Sequence, residues 1–178
     1  MLEIVQVGDP VLRAVAQPVE VADLPALAQL IDEMRDTMRA APGVGLAAPQ
    51  IGRSLSLAVI EDAPTLHTSL APEQLAARER SAVPFHVIVN PTIEPVGTDV
   101  IEAFEGCLSF KGFVMMVPRF RSVRVEALDE HGVRRVIEAT GWYARILQHE
   151  IDHLNGTLYI DRMNTRTFSS ARNMARGR

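Results

Sequence analysis

Several features that mark other classes of protein are rare or absent in the sequence. It contains one cysteine in 178 residues, and a lone cysteine cannot form the internal disulfides of a small secreted scaffold. No apolar run approaches the roughly 18 residues of a membrane span. The first residues lack the cationic and apolar segments of a secretory signal and the arginine-rich character of a transit peptide. We therefore expect a cytoplasmic protein without membrane partners.

The chain also lacks an excess of positive charge. The formal net charge is −4, which argues against general nucleic-acid binding and predicts no specific DNA partner. The composition, 47% hydrophobic and 22% charged, is typical of an ordinary globular protein. A chain of this length can bury one sizeable core, so we predict a single catalytic domain over residues 1–178.

Two segments have the signals of amphipathic helices. Apolar residues recur every three or four positions over Leu24–Ala40, and residues 141–155 are predicted to form a second helix. Asp23 and Thr140 stand where N-caps would be, and Gly156 stands where a left-handed C-terminal cap would be.

Between these helices the hydrophobic period changes to two. The alternation is clear at 55–59, 85–89 and 123–127 and predicts strands. The turn-forming residues 129–132 predict a hairpin to a returning strand over 133–139. Because helices and antiparallel strands are mixed without strict alternation, we predict an α+β fold, with antiparallel β-sheets packed around a central helix that carries the His149 motif described below.

Two further segments are predicted to lie at the surface. Residues 61–84 are polar and interrupt the strands, so we interpret them as a surface insertion with a short helix over 72–80. Residues 164–178 are predicted to be a C-terminal tail or helix. The stretch after Asp161 is rich in arginine, and a transient contact with the ribosome is a hypothesis for it.

The strongest chemical signal is His149-Glu150-Ile151-Asp152-His153. Residues four apart on a helix lie one turn above the other, so both imidazoles can bind one metal ion. Glu150 lies about 100° around the helix axis, near enough to reach a water on that ion. Zinc hydrolases use this arrangement, in which the two histidines hold the ion and the glutamate moves a proton of the bound water. Five residues can also match by chance, on a helix with two histidines and an acidic face.

A catalytic metal site of this kind needs a third protein ligand. Metzincin proteases use a further histidine, but Tyr159 stands at that position, and no glutamate follows His153 to serve as in thermolysin-like proteases. Cys107 is the natural candidate, since a thiolate and two imidazoles suit Zn²⁺ or Fe²⁺. Two alternatives stay open: a zincin-like metalloprotease, and a non-catalytic metal-binding or redox-sensing protein.

A third element is the small-residue segment Gly43-Val44-Gly45-Leu46-Ala47-Ala48-Pro49-Gln50. Its glycines let the backbone approach a ligand closely, and Gln50 could direct an amide N–H at a developing oxyanion. Taken alone, a glycine turn followed by a surface glutamine explains it as well.

Together, Gly45-Leu46-Ala47-Ala48-x-Gln50, Glu105-Gly106-Cys107-Leu108-Ser109 and Gln148-His149-Glu150-x-Asp152-His153 resemble the three signature motifs of peptide deformylases, in the family's order. Gly141-Trp142-x-Ala144-Arg145 is similar to the mitochondrial-type branch in particular. One departure is Phe110-Lys111-Gly112, where the family usually has a hydrophobic residue, proline and glycine beside the substrate.

The resemblance implies removal of the formyl group from the N-terminal formyl-methionine of newly made polypeptides. Cys107, His149 and His153 would bind one divalent metal ion, Fe²⁺ in cells and Zn²⁺, Ni²⁺ or Co²⁺ in purified protein. A metal-bound water would attack the formyl carbon with Glu150 as general acid and base. The other residues of the catalytic set would be Gln50 and the backbone N–H of Leu108, which hold the oxyanion.

The expected partners are N-formylmethionyl peptides and nascent chains. We expect the peptide to add as a strand along residues 43–46 and its methionine side chain to enter an apolar pocket beside the metal. The residues predicted to bind the substrate are Gly43, Val44, Gly45, Leu46, Gly106, Trp142, Arg145 and Ile146.

Overall fold

The structure is a computed structural model that describes residues 1–68 and 70–175. Its helices are Leu24–Ala40 (α1), Pro72–Ala77 (α2), Gly141–Leu154 (α3) and Ala171–Ala175 (α4). Its strands are Gly45–Ala47 (β1), Leu57–Asp62 (β2), Val83–Pro95 (β3), Val100–Cys107 (β4), Phe110–Phe120 (β5), Ser122–Leu128 (β6), Arg134–Thr140 (β7) and Ser169–Ser170 (β8).

The strands form two antiparallel sheets. The larger has five strands in the order β1-β2-β3-β6-β7, and the smaller has three in the order β4-β5-β8. The predicted hairpin is confirmed as β6 and β7, with Val125 opposite Ile137. Helix α3 contacts both sheets, through β1, β2, β3, β6 and β7 on one side and β5 on the other. The predicted α+β fold with antiparallel sheets around this helix is therefore confirmed.

The larger sheet is covered on both faces, which explains why β2 is apolar almost throughout. Leu57 and Val59 point into the cluster that contains α1, with Met34 and Met38. The alternate residues of β2 point into the cluster that contains α3. This packing places α3 between the sheets and fixes the faces that it presents to each.

The helix ends match the sequence predictions closely but not in every contact. α1 has the predicted bounds, and α3 ends one residue earlier than predicted. Asp23 and Thr140 occupy the N-cap positions, yet neither side chain makes a capping hydrogen bond. Gly156 has φ 69°, the left-handed conformation expected for a residue that follows a helix.

The segment predicted as an insertion contains a short 3₁₀ helix, Pro64–His67, and α2, which is shorter than the predicted helix over 72–80. In the C-terminal segment, β8 pairs with Phe113 and Val114 of β5 and leads into α4. The last part of the predicted tail, 176–178, lies outside the described residues. None of the described helices is long and apolar enough to cross a membrane.

Candidate active site

Three side chains meet where α3 passes the end of β4. The ligand atoms of Cys107, His149 and His153 all lie within 4.8 Å of one another. Cys107 Sγ is 3.2 Å from His153 Nε2, and the two imidazole rings have centroids 5.0 Å apart. The helix brings the histidines together one turn apart, and the last residue of β4 brings the thiol to them.

This donor set fits a divalent metal ion. One thiolate and two imidazoles provide three of the four positions of a tetrahedral site and leave the fourth open. His149 Nδ1 lies 2.9 Å from Glu105 Oε2, so Nε2 is the nitrogen available to an ion. Such a carboxylate partner typically orients a ligating histidine and raises its basicity.

Glu105 is a residue of the site that the sequence reasoning missed. Its buried carboxylate accepts hydrogen bonds from Arg119 at 2.9 and 3.0 Å and from Arg145 at 2.7 Å. Burial opposes its ionisation, but hydrogen bonds with His149 and Arg119 hold the pKa of Glu105 well below its usual range. The available signal was its place in the Glu105-Gly106-Cys107 motif, two residues before the proposed thiolate ligand.

Glu150 lies beside the three ligands with its carboxyl group buried. Among the described residues, its Oε2 atom has no hydrogen-bond partner. Burial raises the pKa of Glu150 to about 7. The room for this side chain depends on Gly45, since a Cβ atom there would lie 2.7 Å from Glu150 Cγ and closer still to the carboxyl group. The site thus contains a carboxyl group able to exchange a proton near neutral pH.

Gln50 is also buried, with its amide N–H₂ turned toward the ligands. Its Oε1 atom accepts a hydrogen bond from Ala47 N–H at 2.8 Å, which fixes the orientation of the amide. Its Nε2 atom then lies 3.6 Å from Cys107 Sγ and 3.4 Å from Ser109 Oγ. Leu108 lies in the turn between β4 and β5, where its carbonyl accepts a hydrogen bond from Gln6 Nε2 at 3.1 Å.

A cavity of about 370 Å³ opens beside these groups. The predicted substrate residues that line it are Gly43, Val44, Gly45, Gly106, Trp142, Arg145 and Ile146. Leu46 does not line it: its fully buried side chain packs in the α1 cluster, because successive residues of β1 point to opposite faces. The lining also includes Pro42, Arg80 and Phe104, for which the sequence reasoning predicted no role.

Arg145 lines the cavity, but its guanidinium group is hydrogen-bonded within the protein. The group donates to Glu105, to the Val117 carbonyl at 2.8 Å and to the Ile101 carbonyl at 2.5 Å. Its side chain is 6% exposed. Arg145 therefore links β4 and β5 of the smaller sheet to α3.

Comparison with known proteins agrees with this geometry. The family model described as polypeptide deformylase matches residues 1–169. The chain belongs to the polypeptide deformylase family. The resemblance of the three sequence motifs to this family is thereby confirmed.

Relatives of the chain include bacterial and mitochondrial deformylases. Peptide deformylase 3 of Streptomyces avermitilis is 51% identical over 98% of this chain and 76% of its own length. The mitochondrial peptide deformylase of Homo sapiens is 44% identical over 93% of this chain and 69% of its own.

Solved deformylase structures have the same fold. A class I type b peptide deformylase from Acinetobacter baumannii with bound Met-Ala-Ser is 32% identical and superposes with a TM-score of 0.80, over 91% of this chain and 98% of its own. A Synechococcus elongatus deformylase in complex with actinonin is 39% identical, with a TM-score of 0.77 over 93% of this chain and 80% of its own. These relatives favour the deformylase interpretation over the protease and the non-catalytic metal protein.

Proposed function

We propose that this chain removes the formyl group from new polypeptides at the centre formed by Cys107, His149 and His153, with Glu150 moving the proton. Family membership makes the chain a metal-dependent hydrolase with this activity. The observation that carries the assignment to this site is the meeting of three metal-ligating atoms within 4.8 Å of one another, beside a buried carboxyl group.

The proton transfer is assigned to Glu150. When bound, a divalent ion would acidify a water and polarise the formyl carbonyl. Glu150 Oε2 accepts the proton lost by that water and later gives it to the nitrogen of the leaving amine. Burial raises the pKa of Glu150 above the ordinary value of a carboxyl group, which favours a group that takes a proton and later returns it.

The oxyanion that develops on the formyl oxygen needs hydrogen-bond donors already in place. Gln50 Nε2 is one, since the hydrogen bond from Ala47 N–H holds the amide in this orientation. The backbone N–H of Leu108 is the second, in a turn that Gln6 braces. One preorganised donor of this kind contributes about 10²–10³-fold in rate.

The peptide is expected to bind along β1. This strand is at the edge of the larger sheet, where an extended peptide can add by backbone hydrogen bonds that do not depend on its sequence. The apolar walls at Val44, Trp142 and Ile146 suit a methionine side chain. N-formylmethionyl peptides and nascent chains are thus the proposed substrates.

The resident metal is proposed to be Fe²⁺ in cells. The thiolate and imidazole ligands also accept Zn²⁺, Ni²⁺ or Co²⁺, so purified protein can carry these ions. We further propose a cytoplasmic location, which the bacterial relatives support. The transient ribosome contact of the C-terminal arginines stays a hypothesis.

The decisive experiment is to purify the chain without oxygen, measure its metal content and assay formate release from formyl-Met-Ala-Ser. We expect one ion per chain and formate release that stops on chelation and returns with Fe²⁺. Casein serves as the control substrate for the protease alternative. Cleavage of casein without release of formate would contradict the proposal.

A further inference from the structure

Between β2 and β3 the chain leaves the sheet and returns with Arg80 in the lining of the cavity. The guanidinium carbon of Arg80 lies 5.2 Å from the centroid of the Trp142 ring, and that of Arg78 lies 5.4 Å from it. Trp142 itself lines the cavity. Residues 63–82, the part of the predicted 61–84 insertion that lies between β2 and β3, therefore contact a wall of the active site through Arg78 and Arg80.

Arg80 is fixed in this position by Asp62, the last residue of β2. The Asp62 carboxylate is fully buried and accepts two hydrogen bonds from Arg80, each of 2.8 Å. His67 Nε2 also approaches it to 3.0 Å, without the alignment of a hydrogen bond. The Arg80 side chain is only 9% exposed. Because a buried carboxylate needs a paired cation, Asp62 determines where this guanidinium lies.

A second attachment joins the segment to the start of α3. Glu79 accepts hydrogen bonds from two nitrogens of Arg121 and has φ 47°, a left-handed conformation that is uncommon outside glycine. At Gly141, directly before Trp142, a Cβ atom would lie 2.8 Å from the Glu79 carbonyl oxygen and 3.0 Å from that of Arg78. The backbone of the segment thus touches the helix at the residue that precedes the indole.

We propose that the 63–82 segment positions Trp142, with Arg80 as the positioning residue that holds the indole as a wall of the methionine pocket. The inference rests on the proposed function, because the pocket has this role only in a deformylase. Arg80 does not act on the reacting atoms, so its loss loosens substrate binding and leaves the chemical step nearly intact. A segment that merely covered the surface would have neither effect.

Trp142 is the only tryptophan in the chain, so fluorescence reports on it directly and without metal. In Arg80→Met we expect acrylamide to quench this fluorescence more strongly than in the wild type. We also expect the KM for formyl-Met-Ala-Ser to rise about 3–10-fold, the size of one lost cation–π contact, and kcat to stay within about twofold. A rise in KM without a fall in kcat separates positioning from damage to the catalytic groups.

The matched control is Arg124→Met. Arg124 pairs with Glu94 and Glu126 and does not line the cavity, so both readouts should remain those of the wild type. Since Arg80→Met leaves a buried carboxylate, the double variant Asp62→Asn with Arg80→Gln removes both charges and provides a second test if the single variant does not fold.

Unchanged quenching and unchanged KM in a folded Arg80 variant would overturn the positioning role. Failure of the proposed function is a separate result, because the wild-type chain itself would then release no formate. In that case the quenching comparison still decides whether Arg80 holds the indole.

Discussion

Two rows of polar residues lie side by side along α3, and they differ in how completely their side chains are hydrogen-bonded. In one row, Gln148 accepts a hydrogen bond from Phe120 N–H at 3.0 Å and donates to the Phe120 carbonyl at 2.8 Å. Asp152, one turn later, accepts two hydrogen bonds from Arg162 and one from Arg119. This row, here called the saturated row, consists of Gln148 and Asp152, and both side chains are hydrogen-bonded to β5 or to the segment after α3.

The neighbouring row, here called the reactive row, consists of His149, Glu150 and His153. Its polar atoms are only partly hydrogen-bonded. Among the described residues, Glu150 Oε2 and His153 Nδ1 are buried without a hydrogen-bond partner. Such a buried group typically costs about 1–3 kcal/mol. Among the described residues of α3, the buried polar groups without a partner thus lie on the face that carries the proposed metal ligands and Glu150. The hydrogen bonds of Gln148 and Asp152 attach the saturated row to β5 and to the segment after α3.

Glu105 links the two rows. Its carboxylate is bonded to His149 on the reactive row and to Arg119, which also bonds Asp152 on the saturated row. The orientation of one proposed metal ligand thus depends on an ion-pair network that reaches across the helix. The contrast between the rows can be tested by removing one group at a time.

The largest effect is expected for Glu150→Gln on the reactive row. The amide cannot accept a proton, so turnover should fall about 10²–10⁴-fold, the usual contribution of general acid–base catalysis. The metal content should not change, because Glu150 is not among the proposed ligands. Formate release and metal analysis on the same preparation measure both. Turnover within tenfold of the wild type would remove Glu150 from its proposed role.

Asp152→Ala tests the saturated row and should lower stability. It removes the partner of Arg162 and one of the two carboxylates that pair with buried Arg119, so we expect a loss of about 3 kcal/mol in the free energy of unfolding. Urea unfolding measures it.

The matched control is Asp32→Ala, whose side chain is 61% exposed and pairs with Arg35 at the surface. Loss of such an exposed pair should cost under about 1 kcal/mol. Equal losses in the two variants would show that the ion pairs of Asp152 are no more important than a surface pair.

The reactive row could be predicted from the sequence, because His149 and His153 are four apart with Glu150 between them, and the helical period alone brings such residues to one side. The saturated row could not. Gln148 and Asp152 were visible as parts of a motif, but their partners lie in β5 and in the segment after α3. Glu105 was missed for the same reason: its contact with His149 joins residues 44 positions apart, and no local period records such a pair.

Strand β1 and the 63–82 segment show two other limits of prediction. The predicted backbone contact of Leu46 with the substrate stays a prediction, but the sequence did not show that alternation along β1 turns its side chain to the face opposite the cavity. Arg80 lay in a polar stretch whose composition indicated exposure. Its burial depends on Asp62, 18 positions earlier, and only the folded chain reveals that pairing.

The smallest effect is expected for Gln148→Ala, which tests whether the two rows act separately, because Gln148 directly precedes His149. The change removes hydrogen bonds to a backbone that water can partly reach, so we expect a loss of about 1 kcal/mol in stability. Turnover of the metal-loaded enzyme should stay within about twofold, since this side chain points away from the ligands toward β5. Urea unfolding and formate release measure the two quantities. If turnover fell as far as in Glu150→Gln, the two rows would not be separable, and the polar face of α3 would have to be treated as one catalytic unit.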